Sequence, residues 1–434
     1  ESISGKHQGV VFNSTSNYKG STIDKLTISE GEYGITVYGS DPVITNLVVR
    51  NADRVAIDLF DSASPILRDI VIDGGGQDLH GSSTTWRYGI GISSGASSAP
   101  IVQGATIDDL VTRGVNLWYN SGGLWSDISI TNVTGATLAA AAAIWVEDSI
   151  PLFTNSNVSN SDNGIIVRHI SETTTRPTFL NTKVEDCQYR GVLVERLDHS
   201  NYSNLQTNAV FTGLEIRGTG GPNAKTPGLG IGASVDVNTS GAKVEDAIIE
   251  GNAIIGFRAY TTDSSTSLNN VTIRNNGPDS PLNNHDGAGL LLRSATWTTK
   301  GPAEVSNLLF ENSTGSGLVM AKGGANGSNW TIRDNAANGV AFVEFHPRVE
   351  NLVSEDNMGN GVSVIDSSNV ELSNVHTSGN DIGLYFQESN YVMSGGKNVS
   401  CHTCSSDGDQ RGIVVRDSID LQLISSTVTG TLSE

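Results

Sequence analysis

Gly317-Leu318-Val319-Met320, Gly339-Val340-Ala341-Phe342, Gly361-Val362-Ser363-Val364 and Gly383-Leu384-Tyr385-Phe386 decide how this chain is read, because their glycine anchors lie 22 residues apart three times running. Each block is a small residue, an apolar one, a variable one and a second apolar one. In an extended chain the second and fourth side chains share a face, so each block reads as a short strand with one apolar side. Working outward, the block recurs sixteen times, from Gly9-Val10-Val11-Phe12 to Gly412-Ile413-Val414-Val415. Ala56-Ile57-Asp58-Leu59, Gly89-Ile90-Gly91-Ile92, Gly114-Val115-Asn116-Leu117, Ala143-Ile144-Trp145-Val146, Gly164-Ile165-Ile166-Val167, Gly230-Ile231-Gly232-Ala233 and Gly256-Phe257-Arg258-Ala259 are among them.

A second short strand follows within each unit, as in Val271-Thr272-Ile273 and Trp330-Thr331-Ile332, and then a cluster such as Asn275-Asn276-Gly277 or Asp356-Asn357. Asn and Asp tolerate left-handed backbone and bond their own main chain, so these clusters read as turns whose amides can stack into a ladder. A unit of 22 residues is too short for a hairpin-based blade and carries no helical spacing. It suits a coil of two or three strands. The expectation is an all-β chain, a right-handed single-stranded parallel β-helix (solenoid) of about 16 coils stacked at about 4.8 Å around one apolar core.

Gly 49, Pro 11 and an aromatic share of 6% fit such a chain, which turns often and fills its interior with small and β-branched residues. We therefore expect a single parallel β-helix domain over residues 1–434 rather than two or three unrelated ones. Longer units carry their extra residues in surface loops. The Ala-rich stretch from Leu138 to Val146 reads as a helix or a loop beside the outer face, and His80 with Trp86-Arg87-Tyr88 stands in another insertion.

Lys+Arg 26 against Asp+Glu 46 leaves a net charge of -20 over 434 residues, which repels phosphate backbones and anionic lipid. Nucleic acid is excluded as a partner. The longest apolar stretch, Leu138 to Val146, is far shorter than the roughly 20 residues that span a bilayer, so no membrane insertion is expected. The chain begins at Glu1 and has no basic segment leading into an apolar one, so an export signal is expected to have been removed or to lie outside this sequence. Leu432-Ser433-Glu434 shows no polar cap, which suggests a fragment of a larger exported protein, or an end covered by a neighbouring domain or subunit.

The repeated blocks and Asn/Asp turns resemble the parallel β-helix repeats of the pectin-lyase-like superfamily, and the resemblance covers nearly the whole chain. It implies an architecture and leaves the chemistry open, since that superfamily includes lyases, hydrolases, epimerases, tailspikes, adhesins and non-catalytic surface proteins. It also implies a substrate groove along the outside of one stacked sheet. The Asn-Thr-Asp, Asp-Asp, Gly-His-Gly and Arg-Ile-Lys set of polygalacturonase-like hydrolases is not found here, and Asn284-His285-Asp286-Gly287 is the nearest fragment. The Trp-Ile-Asp-His signature of calcium-dependent pectate lyases is absent too.

Outward positions of the blocks supply the candidate surface. They place Trp118, Tyr119, Trp145, Arg168, Arg258, Tyr260 and Arg293 as substrate-binding residues, with Asn116 and Tyr385 on the same row. Aromatic faces stack on sugar rings and Arg grips carboxylates or sulfates bidentately. Glu147, Asp148, His169, Glu195 and Arg196 are the catalytic candidates, the carboxylates or His169 as acid and base and Arg196 or Arg293 neutralising a uronate. The alternative is a cross-coil charge ladder in which these groups serve one another.

Of the three cysteines, Cys187 lies many coils from the others, while Cys401-His402-Thr403-Cys404 suits a local disulfide or thiol pair, or part of a metal site. No cofactor is required and no metal ligand set is assigned. Calcium is allowed at Asp407-Gly408-Asp409 or at Asp279 with Asp286. Ten sequons, Asn13 to Asn398, permit glycosylation without indicating it.

Two functions follow. The first is an exported, extracellular or cell-surface β-helix with a structural and adhesive role, whose partner is a polysaccharide or cell-surface glycan. The second is a polysaccharide lyase or glycoside hydrolase acting on an acidic polysaccharide along the same face. Whether the chain is an enzyme depends on whether a carboxylate or His is held at working distance from a neighbour in a concave groove.

Overall fold

A computed structural model describes residues 2–4, 8–13, 20–76, 88–135, 141–170, 176–196, 208–220, 233–238, 241–252, 255–259, 266–277, 289–293, 302–367, 369–387, 398–416 and 420–430. Among these every regular element is a strand, and the pairings are parallel. Two compact units are present: residues 1–216 with 221–224, and residues 217–220 with 225–434.

In the first unit one sheet is built from Gln8–Asn13, the second halves of Thr27–Tyr38 and Val43–Phe60, and then Ile90–Ser94, Arg113–Leu117, Ala142–Glu147, Asn163–His169 and Arg190–Arg196. In the second unit a sheet of the same kind is built from Ala233–Asn238, Ile255–Ala259, Leu290–Arg293, the first parts of Leu318–Arg333 and Val340–Glu355, Asn360–Ile365, Ile382–Gln387 and Arg411–Arg416. Within each unit a strand pairs with the equivalent strand one sequence unit later. Leu318↔Val340↔Val362↔Leu384 is the 22-residue period made physical.

The anchor is small because the chain bends inward there. At Gly34 an added Cβ would lie 2.5 Å from the Ala56 carbonyl oxygen and 2.8 Å from Val49 Cγ1. The two apolar residues of each block then enter the core, as Ile35, Val37, Ile57, Leu59, Val115 and Leu117 do, all fully buried. Elsewhere in the first unit's core Trp125, Phe153, Phe179 and Phe211 occupy one register position on successive coils. Their centroids lie 5.6, 5.2 and 4.9 Å apart.

The turns form the expected ladders. Asn307, Asn329, Asn351 and Asn374 all sit at φ between 52° and 58°. Each later amide nitrogen donates to the preceding Oδ1, at 2.9, 3.0 and 2.7 Å. A second, buried ladder in the same unit runs Asn335, Asn357, Asn380 and ends on the Asp409 carboxylate. Buried amides are tolerated here because each donor and acceptor is met by the next coil.

Several local expectations change. Residues 142–147 are a strand, since Ala142, Ile144 and Val146 pair with Arg113, Val115 and Leu117; residues 136–140 lie outside the described residues. The block taken as Gly89-Ile90-Gly91-Ile92 starts two residues later, because Ile92 pairs with Val115 and Ser93 with Asn116. Likewise Val235-Asp236-Val237 pairs with Phe257-Arg258-Ala259, which displaces Gly230-Ile231-Gly232-Ala233 as the block. Glycine at every other position made both frames ambiguous in the sequence.

Cys401 and Cys404 form a disulfide with a Cα separation of 5.9 Å, so neither thiolate is available to a metal. Cys187 is a buried free thiol pushed up to about 12 by burial. Asp409 is turned inward, where its oxygens accept hydrogen bonds from Thr377, Asn380 and Ser406, while Asp407 accepts one from Thr429. His80, Trp86, Asp279, Asp286 and Tyr260 lie outside the described residues.

Candidate functional site

The outer face of the sheet in the first unit carries three parallel rows of side chains. The middle row is the variable third residue of each block, Thr36, Asp58, Ser93, Asn116, Trp145, Ile166 and Leu193 in register. One flanking row precedes the anchor: Tyr33, Val55, Ile90, Arg113 and Ala142. The other follows the block: Tyr38 pairs with Phe60, and after Gly95 and Trp118 come Glu147, Arg168 and Glu195 in register.

Row height makes the cleft. Asp58, Ser93 and Asn116 are short, while Tyr33, Val55, Ile90 and Arg113 rise on one side and Phe60, Trp118 and Glu147 on the other. These ten residues line a cleft of about 340 Å³, at the low end of small-ligand sites. The middle row then changes character. Trp145 fills the next position and Ile166 and Leu193 follow it, forming a small apolar cluster with Ala142 on the outer face.

Gly95 shapes the aromatic wall. It stands between Phe60 and Trp118 in the stack, and an added Cβ would lie 2.5 Å from Trp118 Cε2 and 2.6 Å from its Nε1. Without that Cβ the indole leans across the glycine backbone and meets Phe60 edge-on, centroids 5.8 Å apart. Trp118 Nε1 donates to Ser93 Oγ at 3.4 Å, and Tyr119 packs against the indole at 4.8 Å. Tyr38 extends the aromatic row with its ring 6.1 Å from Phe60.

Arg113 is the buried cation of the cleft. Its guanidinium donates to Asn116 Oδ1 at 2.5 Å and lies 3.9 Å from the Trp145 ring centroid. Burial pulls its pKa down to about 10, against the pull of Glu147 and with the help of Arg168, so it stays protonated at neutral pH. The cation offsets part of the negative charge that Asp58 and Glu147 bring.

The sequence-based surface is only partly assembled. Trp118 and Glu147 line the cleft, and Tyr119 packs beside Trp118. Trp145 is 1% exposed, its ring covered by Arg113 from the coil before and by Arg168 from the coil after, so it offers no face to a sugar. Arg168 is bonded to Glu195, Nε to Oε1 at 2.7 Å, which is the cross-coil ladder rather than a free grip for a uronate. Asp148 and His169 do come together, Oδ1 to Nδ1 at 3.9 Å, but both are buried and neither lines the cleft. Asp148 Oδ1 instead accepts the Ile170 N–H at 3.0 Å.

Arg258, in the second unit, is buried and bonded to Asp236 at 3.1 and 2.5 Å. Arg196 and Arg293 have described backbone only, ending the strands Arg190–Arg196 and Leu290–Arg293. Outward residues of the second unit's sheet, Leu291, Val319 and Ala341, form an apolar cluster with Ile255 instead of a solvated row.

Seven lining residues were missed, the apolar Val55 and Ile90 of the flanking row among them. Asp58 holds the same place in its block as Asn116, so a uniform census of third positions would have found it. Ser93 was hidden by the ambiguous Gly-Ile-Gly-Ile frame. Tyr33 and Arg113 precede their anchors and Phe60 follows its block, at positions whose direction depends on where the strand starts and ends.

Residues 8–169 match the family described as the right handed beta helix region. No curated protein matches the chain. Among solved structures the chain is similar to the Azotobacter vinelandii mannuronan C-5 epimerase AlgE6 A-module, at 11% identity and TM-score 0.42, covering 94% of this chain and 91% of that one. It is similar to a chain of the Vag8–C1 inhibitor complex at 10% identity and TM-score 0.46, covering 98% and 100%. Tailspike protein 3 of bacteriophage CBA120 matches at 8% identity and TM-score 0.40, covering 97% of this chain and 56% of that one. With parallel pairing repeated coil after coil in each unit and the family match over its first part, the chain is a right-handed parallel β-helix protein.

Proposed function

We propose that the protein is a glycan-binding β-helix with a structural and adhesive role outside the cell or at its surface, and that the cleft between residues 33 and 147 is its binding site. The observation that carries this reading is the pairing of an aromatic wall, Phe60 and Trp118, with a floor of short polar side chains, Asp58, Ser93 and Asn116. Sugars present apolar ring faces and hydroxyl edges together, and a site that binds them supplies both surfaces. The Cys401–Cys404 disulfide supports an oxidising compartment.

Spacing favours binding over hydrolysis. Asp58 and Glu147 are the carboxylates among the described residues lining the cleft, and they stand three coils apart in neighbouring rows, Asp58 being in register with Trp145. At about 4.8 Å per coil their backbones are roughly 14 Å apart, whereas the carboxyl groups of glycosidases sit about 5–9.5 Å apart.

The test is binding of the intact chain to a panel of soluble polysaccharides by affinity electrophoresis, with reducing ends and unsaturated products followed in the same samples. Retardation that falls at least about 10-fold in the Phe60→Ala, Trp118→Ala double variant is expected, as stacked rings are worth about 1–3 kcal/mol each. Turnover abolished by Glu147→Gln would replace the adhesive reading with the lyase or hydrolase one.

A further inference from the structure

We infer that the cleft receives the end of a glycan chain, because its groove runs along the coil stack and is stopped at Trp145; this deepens the glycan reading above and rests on it. The direction of the groove comes from its walls. Tyr33, Val55, Ile90 and Arg113 stand on successive coils along one side, and Phe60, Trp118 and Glu147 along the other, so an extended ligand lies parallel to the stack instead of crossing it. The floor is Asp58, Ser93 and Asn116 in register, first and last about 10 Å apart at about 4.8 Å per coil. The next floor position is Trp145.

Trp145 makes a firm stop. Its indole stands where the three preceding coils carry short side chains, and the guanidiniums of Arg113 and Arg168 lie over it, 3.9 and 4.4 Å from the ring centroid. The indole is tied to both walls, since Arg113 belongs to one and Trp145 Nε1 donates at 3.4 Å to Glu147 Oε2 on the other. On the far side Arg168 is bonded to Glu195, which holds the layer against displacement. The floor does not reopen beyond it. Ile166 and Leu193 follow in register and form a buried apolar cluster with Ala142 and Trp145, at most 4% exposed. Sugar hydroxyls driven onto that aliphatic surface would lose their hydrogen bonds to water and gain none. A polysaccharide threaded through the groove would have to displace the whole layer, whereas a chain end halts against it. The volume of about 340 Å³ suits a short terminal stretch of a glycan.

Chain-length dependence tests this with a glucan, a mannan, a galactan and a polygalacturonate, each as the polymer and as oligosaccharides from disaccharide to octasaccharide. Binding of the intact chain is measured by calorimetry, and the number of protein molecules held per glycan chain by analytical ultracentrifugation. For a glycan that binds, affinity per mole of chains should level off before the octasaccharide, and the polymer should hold one protein per recognised end whatever its length. A bulky group attached to one or other end of the octasaccharide should weaken binding at least about 10-fold, the loss of one good hydrogen-bonded contact. A protein count that rises with polymer length, or octasaccharide binding that a block at neither end weakens, would overturn this inference and leave the glycan reading standing. Absence of binding to every one of these glycans removes both.

Discussion

Gly95→Ala places a methyl group where the structure has an indole. Residue 95 has no positive φ, so alanine meets no backbone strain, and the whole effect is one of space. The new Cβ would start 2.5, 2.6 and 2.9 Å from Trp118 Cε2, Nε1 and Cζ2. Carbon atoms rest about 3.5–4.0 Å apart, so the ring must move by roughly 1 Å or more. That displacement breaks the hydrogen bond to Ser93 and opens the edge contact with Phe60. Overpacking costs about 1–3 kcal/mol, and the lower entropy of the unfolded alanine chain returns about 0.4–1 kcal/mol. Stability should therefore fall by only about 1 kcal/mol, while glycan affinity drops about 10-fold because the stacking wall has turned.

Gly122→Ala is the matched control, since its Cβ meets nothing closer than 3.7 Å. Urea unfolding, near-ultraviolet circular dichroism and affinity electrophoresis on both variants read stability, indole environment and binding separately. If Gly95→Ala alters the aromatic signal yet binds as the unchanged protein does, Trp118 is not the stacking wall. If neither signal nor binding moves, the close packing of Gly95 and Trp118 is wrong.

Other perturbations have equally definite outcomes. Asn357→Ala should cost about 3 kcal/mol, because the buried Asn335 donor and Asn380 acceptor both lose a partner; urea unfolding of the variant beside Asn351→Ala, on the exposed ladder, separates burial from ladder formation. Phe179→Ala, in the middle of the aromatic stack, should cost about 3–5 kcal/mol by the same measurement. Asp162 is buried and its carboxyl is held above the ordinary value of 3.8 by burial, against the Gly135 N–H it accepts. Its protonated form is favoured by the fold, so its effect is absent below pH 3.8 and becomes a destabilisation as pH rises through the folded value. Unfolding from pH 3 to 7 should show Asp162→Asn losing less stability than the unchanged protein over that rise, and equal slopes would refute the assignment. Replacing Cys401 and Cys404 together by alanine should lower stability by about 2 kcal/mol, the loop-closure value for so short a ring.

The winding of the chain was legible in the sequence because its causes are local and repeated. An inward bend needs a small anchor, a strand with one buried side needs alternation, and a left-handed corner needs Asn, Asp or Gly, so each unit states its own conformation every 22 residues or so. Where that signal is doubled, as in Gly89-Ile90-Gly91-Ile92, the frame slips by two, and only the pairing of Ile92 with Val115 resolves it. The site was harder to read for the same reason that the fold was easy. A side chain's neighbours lie one coil away, at distances along the chain that vary with each insertion. Trp145 could be read as outward, and is, but its burial between Arg113 and Arg168 depends on side chains reaching across from two other coils. Arg258 was equally visible as an outward cation, and its neutralisation by Asp236 needed the true frame of the preceding block. The sequence by itself determined the coil, its core and its corners; tertiary structure alone decided which outward groups face solvent and which are consumed by one another, because stacking brings together residues that no local rule relates.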